Sequence, residues 1–411
     1  MTGQSWPGRG SAARVALIGA NGHGRAHRRR IAELSRSGTL RLVGLADVRP
    51  IEADPPVPDS VAVYADHQRL LAETRPDIVV ICTPPHTHLA IALDALAAGC
   101  DLLLEKPPVP NLAEHATLAA AVHAAGRACQ VGFQALGSAA LHRLTEAVRA
   151  GELGRITAIA TVASWRRDDA YYARSPWAGR RMVDGRRVLD GALVNPLAHA
   201  VMQSLAVAAA AGAGAPVRLA AERYRTRAIE VDDTAFARIT FGGGPPLLAA
   251  VTLAGEDFIP GEVIVTGTAG RAVLEYPTDR LDLPGHPPAP GRTDLLENLV
   301  AHRHDPDGTP LVAPLALTAD FTAVVQALTA PGTPEPILID DAFVDSVGLP
   351  PARIRVIRGI NAVLRKAADT MTLPSEWGVA WARPGPGPTG IPLLSAPGSG
   401  RHRRPEPSDA G

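Results

Sequence analysis

The chain has 411 residues, 46% of them hydrophobic, and its 41 basic and 41 acidic side chains give a formal net charge of +0. That length predicts two domains with a cleft between them, and the balanced charge supplies no global field for nucleic acid or an anionic membrane. Cys82, Cys100 and Cys129 are well separated and lie in or beside apolar runs. They are expected to be buried reduced thiols rather than a disulfide frame or zinc ligands. Without an apolar leader in Met1–Ser11 or an apolar run of spanning length, the chain is expected to be cytoplasmic and free of the membrane.

Residues 1–12 are rich in Gly, Ser and Pro and read as a disordered tail. Short apolar runs then alternate with helical patterns. Strands are predicted at Val15–Gly19, Leu40–Asp47, Ile78–Cys82, Asp101–Glu105 and Ala128–Phe133, and helices at Arg25–Ser37, Gln68–Thr74, Leu89–Ala98 and Leu112–Ala125. Strands that are apolar throughout and separated by helices predict a parallel sheet covered on both faces over residues 13–135. After a helix near Ala139–Ala150 the pattern changes. Ile156–Trp165, Val217–Arg225, Ala235–Phe241, Leu247–Leu253, Val263–Thr266 and Ala272–Tyr276 read as strands, some joined by hairpin-length turns such as Gly242–Pro245. Helices are predicted near Pro196–Ala211, Leu295–His302, Ala319–Leu328 and Ile354–Ala367. Residues 136–382 are thus expected to form a second α/β domain on a large, mostly antiparallel sheet, followed by a Pro/Gly-rich disordered tail at 383–411. The few helices would leave one sheet face bare, and such a face predicts a homodimer or homotetramer.

Ile18–His27 reads Ile-Gly-Ala-Asn-Gly-His-Gly-Arg-Ala-His, between the first strand and the first helix. Gly19 and Gly24 fit the G-x-G-x-x-G pattern, with Asn21 at the middle position and Gly22 adding freedom. Asn tolerates left-handed backbone better than other side chains, so the turn survives the exchange. Gly19, Asn21, Gly22, His23 and Gly24 are candidates to hold a dinucleotide pyrophosphate at the free N–H groups of the helix start. A glycine-rich turn without a ligand is the plain alternative. Asp47 ends the second strand, where a carboxylate meets ribose hydroxyls and favours NAD; Arg49, two residues on, would instead suit the 2′-phosphate of NADP.

Thr83-Pro-Pro-His-Thr-His88 follows the strand Ile78–Cys82 at the carboxyl edge of the sheet. Thr83, Pro84, His86 and His88 are candidate contacts to ribose or nicotinamide, while Thr87 or His88 could simply cap the next helix. No Cys, Asp or Glu stands beside the two histidines, so no metal is expected.

Among the 41 basic residues only Lys106 and Lys366 are lysines. Arginine serves this chain wherever a fixed positive charge suffices, so a retained lysine points to chemistry that guanidinium cannot perform. A lysine ammonium loses its proton when buried or set near other cations, as proton transfer at an alcohol requires. Lys106 lies in Glu105-Lys-Pro107, after the strand Asp101–Glu105.

With Gly19–His27, Thr83–His88 and Glu105-Lys106-Pro107 in this order, the chain resembles the Gfo/Idh/MocA oxidoreductases. The likeness continues through Val131-Gly-Phe-Gln134 and Gly151–Arg155 and covers residues 13–330. The resemblance implies an N-terminal Rossmann domain and a C-terminal α/β domain whose open sheet carries oligomer contacts. It further implies Lys106 as proton donor or acceptor at the nicotinamide end, often followed by a cis prolyl bond, with Glu105 and Gln134 near the cofactor. The family adds an Asp and a His four residues apart; here Asn195 takes the Asp position and His199 matches the His. Asn195 before Pro196 also reads as a helix N-cap, and His199 is expected as a second acid/base. Trp165, Arg166, Tyr172, Asp190 and Asn195 are candidate substrate contacts, with domain packing as their alternative role.

These residues together predict an NAD(P)-dependent oxidoreductase acting on a secondary alcohol of a sugar, cyclitol or similar polyol. The alternatives are an NAD-retaining glycosidase or lyase and a non-catalytic dinucleotide-binding regulator. The intact Glu105-Lys106-Pro107 speaks against the regulator and Asn195 mildly for it.

Overall fold

The computed structural model describes residues 12–385 and 389–390. Nearly all of the two predicted tails, 1–12 and 383–411, therefore lies outside the described residues. In the N-terminal unit, strands β1 (Ala13–Ile18), β2 (Leu40–Ala46), β3 (Ala62–Tyr64), β4 (Ile78–Ile81), β5 (Asp101–Leu104) and β6 (Cys129–Val131) form one sheet in the order β3-β2-β1-β4-β5-β6. Every pairing in it is parallel. β4 reads Ile-Val-Val-Ile because helices cover both sheet faces, and all four side chains are fully buried. Helices α1 (Gly24–Arg36), α2 (His67–Thr74), α3 (Pro85–Ala97) and α4 (Leu112–Ala125) connect the strands. Local chemistry sets several ends: Asn111 accepts from the Glu114 N–H to start α4, and Gly126, at φ 58°, stops it. The strand order reverses between β1 and β4, which puts the ligand crevice beyond their carboxyl ends.

The second unit begins with α5 (Ala139–Arg149) and strand β7 (Ile156–Arg166), followed by helix α6 (Asp169–Ala173), the small hairpin of β8 (Met182–Val183) and β9 (Arg186–Arg187), and helix α7 (Ala198–Ala210). Strands β10 (Pro216–Arg225), β11 (Thr234–Phe241), β12 (Leu247–Thr252), β13 (Ala254–Gly267), β14 (Arg271–Glu275), β15 (Arg280–Asp282) and β16 (Ile337–Leu338) complete a sheet ordered β15-β14-β13-β7-β12-β11-β10-β16. Most pairs are antiparallel, as expected; β7 with β12 and β10 with β16 are parallel. Helices α8 (Leu295–His304) and α9 (Ala319–Thr329) follow β15, and α8 returns to the first unit, where Arg303 pairs with Asp77 and Asp101. No helix among the described residues is long and apolar enough to cross a membrane.

The expectation of a bare sheet face is overturned. One face packs on α5, α7 and α9. The other, carrying Val162, Tyr224, Phe236, Leu248 and Ile264, is covered by the chain's own C-terminal segment. That segment holds the hairpin of β17 (Val344–Val347) and β18 (Ile354–Ile357), the amphipathic helix α10 (Ile360–Thr370) and Trp381, whose ring meets Tyr224 edge-on at 5.0 Å. A final short strand, β19 (Thr389–Gly390), pairs with β10. The argument for a dimer or tetramer through this face therefore loses its premise. The helix predicted at Ile354–Ala367 is also corrected: Ile354–Ile357 is a strand, and Gly359, at φ 74°, separates it from α10. Helical periodicity had been carried across a glycine that breaks it.

Candidate active site

The glycine loop leaves β1, crosses the switch point and opens α1. A side chain on Gly19 would stand 2.3 Å from the Cys82 carbonyl oxygen, and one on Gly24 2.0 Å from the Gly19 carbonyl oxygen. Both glycines are thus fixed by close backbone approach. Left-handed backbone falls to Gly19 and Gly22, at φ 86° and 57°, and not to Asn21. Asn21 instead uses its side chain: Nδ2 donates to the Pro50 carbonyl, and Oδ1 accepts from the Glu52 N–H. This corrects the reason given for an Asn in the motif. Asp47 closes the loop from below, accepting from the Asn21 N–H at 3.0 Å and the Arg49 N–H at 3.0 Å. Each carboxylate oxygen keeps a lone pair for a further donor. The position above Gly22 is open, with no atom within 4 Å of where a Cβ would stand.

Glu105 lies under the same loop. Its Oε1 is 2.9 Å from His27 Nε2 and 3.6 Å from His23 Nε2, while Oε2 accepts from the Lys106 N–H. Burial alone would raise the Glu105 carboxyl, but the imidazoles of His23 and His27 beside it outweigh that and hold the group well below the usual carboxylate range. His23 rises in turn, chiefly through the adjacent Glu105 carboxylate. Gly132 packs against this carboxylate, so a side chain there would stand 2.8 Å from it.

The Thr83–His88 turn divides by role. His88 is fully buried, with Nε2 2.8 Å from the Thr83 carbonyl and Nδ1 3.0 Å from that of Pro108. It braces the turn against Lys106-Pro107-Pro108, with both ring nitrogens taken up by backbone carbonyls. Pro84 occupies the N-cap of α3 without a side-chain cap, and the Thr87 hydroxyl donates to Thr83 Oγ1 and the Pro84 carbonyl. His86 is exposed, beside Arg186 of the β8–β9 hairpin at 3.2 Å. Gln134 is exposed at the start of a short 3-10 turn.

Lys106 lies two residues past β5, is followed by a cis bond to Pro107, and reaches across to the second unit. Its Nζ donates to Asn195 Oδ1 at 2.8 Å and to the Asn195 carbonyl at 3.1 Å. Burial lowers the ammonium's affinity for its proton, against the opposing charges of Glu105 and Asp190. Asn195 is not the N-cap of α7; the helix starts at Ala198, after a run of turns in which the Asn195 N–H donates to the Gly191 carbonyl. Its amide has other partners, since Nδ2 donates to Asp190 Oδ1 at 3.1 Å.

His199, in the first turn of α7, is stacked on Tyr276 at 5.3 Å and edge-on to Phe133 at 5.7 Å. Burial, helped by the Lys106 charge, pushes its imidazole down to about 3, so it is neutral near pH 7. Its Nδ1 is buried with no partner among the described residues. His199 is therefore a neutral imidazole with one ring nitrogen unpartnered among the described residues, and its low proton affinity disfavours the imidazolium.

Of the other second-unit candidates, Asp190 and Asn195 join Lys106, whereas Trp165 and Arg166 do not bond to it. Trp165 Nε1 donates to the Pro260 carbonyl, and Arg166 Nε to the Gly255 carbonyl, which fastens both to β13. Tyr172, on α6, lies under Arg227 at 4.8 Å, with its hydroxyl buried and without a partner among the described residues. Sequence reasoning missed Tyr276 and Arg292. Arg292 lies over the Tyr276 ring and pairs with Asp279. No local motif marks either residue; only the return of the chain past β14 brings them to His199.

Comparison with known proteins agrees with this architecture. Residues 13–133 match the Gfo/Idh/MocA model, described as an oxidoreductase family with an NAD-binding Rossmann fold. Inositol 2-dehydrogenase 4 of Saccharopolyspora erythraea is 32% identical over 143 residues, covering 34% of this chain and 42% of that protein. D-glucoside 3-dehydrogenase of Escherichia coli is 29% identical over 145 residues, covering 35% and 41%. The alignments thus span less than half of these relatives. In overall fold the chain is similar to the WlbA dehydrogenase from Bordetella pertussis, solved with NADH and UDP-GlcNAcA, at 20% identity and TM-score 0.63 over 80% of this chain and 100% of that one. It is also similar to an inositol dehydrogenase homologue from Azotobacter vinelandii, solved with NADH and myo-inositol, at 18% identity and TM-score 0.57 over 77% and 94%.

Proposed function

We propose that this chain, whose residues 13–133 match the Gfo/Idh/MocA oxidoreductase model, is a member of that family and an NAD-dependent dehydrogenase of a sugar, cyclitol or similar polyol. The observation that carries the reading is Lys106: a desolvated amine at the carboxyl edge of the Rossmann sheet, held across the cleft by Asn195 and close enough for its charge to bear on His199. NAD, when bound, supplies the hydride acceptor for a secondary alcohol carbon. The residues present fit that group. The α1 N-terminus with Gly19, Gly22 and Gly24 would hold the pyrophosphate under open space, and Asp47 has lone pairs free for ribose hydroxyls. Glu105, kept ionised by two histidines, would face the nicotinamide end from beneath the loop.

Lys106 in its neutral form takes the substrate hydroxyl proton as the carbonyl forms, and its burial favours that form. His199 offers an unprotonated imidazole to the same cleft. The relatives named above as inositol and glucoside dehydrogenases support a polyhydroxylated substrate. The test is to mix the purified chain with NAD and a panel of cyclitols, hexoses and glycosides, and to follow absorbance of the reduced nicotinamide. NADP is run alongside, because the exposed Arg49 stands beside Asp47. Absence of reduced nicotinamide with every substrate, together with cleavage of a glycoside, would replace this reading by NAD-retaining hydrolysis.

A further inference from the structure

Asp190 is buried, at 6% exposure. Its Oδ2 accepts from the Gly179 N–H at 2.9 Å and its Oδ1 from Asn195 Nδ2 at 3.1 Å. Among the described residues it forms no direct ion pair, and neither does Lys106. A buried carboxylate and a half-buried ammonium are each costly without a partner of opposite charge. Here a single side-chain amide joins them: Asn195 donates to Asp190 through Nδ2 and accepts from Lys106 through Oδ1. We propose that Asp190 is the positioning carboxylate for Lys106, acting through Asn195.

This rests on the dehydrogenase reading for its chemical purpose, though not for its geometry. An amide does not relay protons at neutral pH. When the substrate O–H bond breaks and an N–H bond forms on Lys106, the new positive charge stays on Nζ. Asp190 offsets that charge, and Asn195 fixes where Nζ points. The other titratable groups around the amine are Glu105 at the end of its own strand, His23 from the glycine loop and His199 from α7, whose imidazole is neutral. Tyr171 and Tyr172 of α6 bear on the Asp190 side. Glu105 also acts on the Lys106 charge, but its oxygens are engaged by His27 and by the Lys106 N–H, so Asp190 is the carboxylate that reaches Nζ through Asn195.

The chain's composition makes the test direct, because Lys106 and Lys366 are its only lysines. With 13C-lysine labelling, NMR follows both side chains through a pH titration of the full chain, with no substrate needed. Asp190→Asn is expected to move the Lys106 midpoint down by about one pH unit, the scale of losing one nearby unit charge at a high effective dielectric. Lys366 should not move. Asn195→Leu, which removes the bridge but no charge, is expected to lower the Lys106 midpoint as well and to broaden its signal. In an active enzyme the acid limb of kcat/KM should follow the Asp190→Asn shift, whereas a purely structural role for Asp190 would lower kcat and leave the limb in place. A Lys106 midpoint unchanged in both variants overturns the proposal. A shifted midpoint in a chain that oxidises no alcohol upholds Asp190 as the partner of Lys106 and overturns the dehydrogenase reading instead.

Discussion

A methyl group on Gly24 would stand 2.0 Å from the Gly19 carbonyl oxygen and 2.9 Å from its carbon. Both are backbone atoms that cannot rotate aside, so Gly24→Ala must open the loop by about 1 Å, beyond the ~0.5 Å range of N–H···O bond lengths. The N–H groups of the loop and of the first turn of α1 would then miss a phosphate placed for the wild-type loop. Losing two hydrogen bonds to a charged group, at roughly 1.5–3 kcal/mol each, weakens binding by about 10²–10⁴-fold. The same overpacking should cost about 1–3 kcal/mol of stability. Calorimetric titration with NADH measures the first effect and thermal unfolding the second. Gly22→Ala is the control: it meets no atom within 4 Å, carries only the strain of φ 57°, and should keep most of the affinity. A folded Gly24→Ala chain that binds NADH within about threefold of wild type would refute this account of the loop.

Three further outcomes follow from the geometry. Lys106→Arg and Lys106→Met should both retain NADH binding while turnover falls by about 10²-fold or more; an active Lys106→Arg enzyme would show that the lysine serves only as a charge. Because His199 is held near 3 against 6.5 in the unfolded chain, the unfolded state binds the extra proton between those values. Stability should therefore fall by up to about 1.4 kcal/mol for each pH unit below 6.5, and His199→Phe should flatten that part of the urea-midpoint profile. Removing residues 337–411 uncovers the face carrying Tyr224, Phe236 and Ile264, so the truncated chain should associate more strongly than the full chain, as read by light scattering.

The Rossmann half was legible because its signals are local. Glycines at Gly19 and Gly24 sit between a strand and a helix, and an all-apolar Ile78–Ile81 admits only a doubly covered strand. What escaped depended on distant chain segments meeting. Asn195 looks like a cap in one dimension, before a proline, and becomes a bridge only when Lys106 and Asp190 arrive from either side. The closing of Pro108 on His88 has no signal in the sequence. The cover over the second sheet was missed because Ile354–Ile357 and α10 were merged, and because nothing local says which sheet face a late helix will take.

That cover has a consequence during synthesis. Strands β7 to β13 leave the ribosome before residues 337–382, which close their second face. At about 5–20 residues per second, the nascent sheet waits roughly 6–23 s between Gly267 and Trp381 with an apolar surface open to other chains. Yield of the folded protein should then depend on translation speed and on chaperones that bind extended apolar segments, more than its finished stability would suggest.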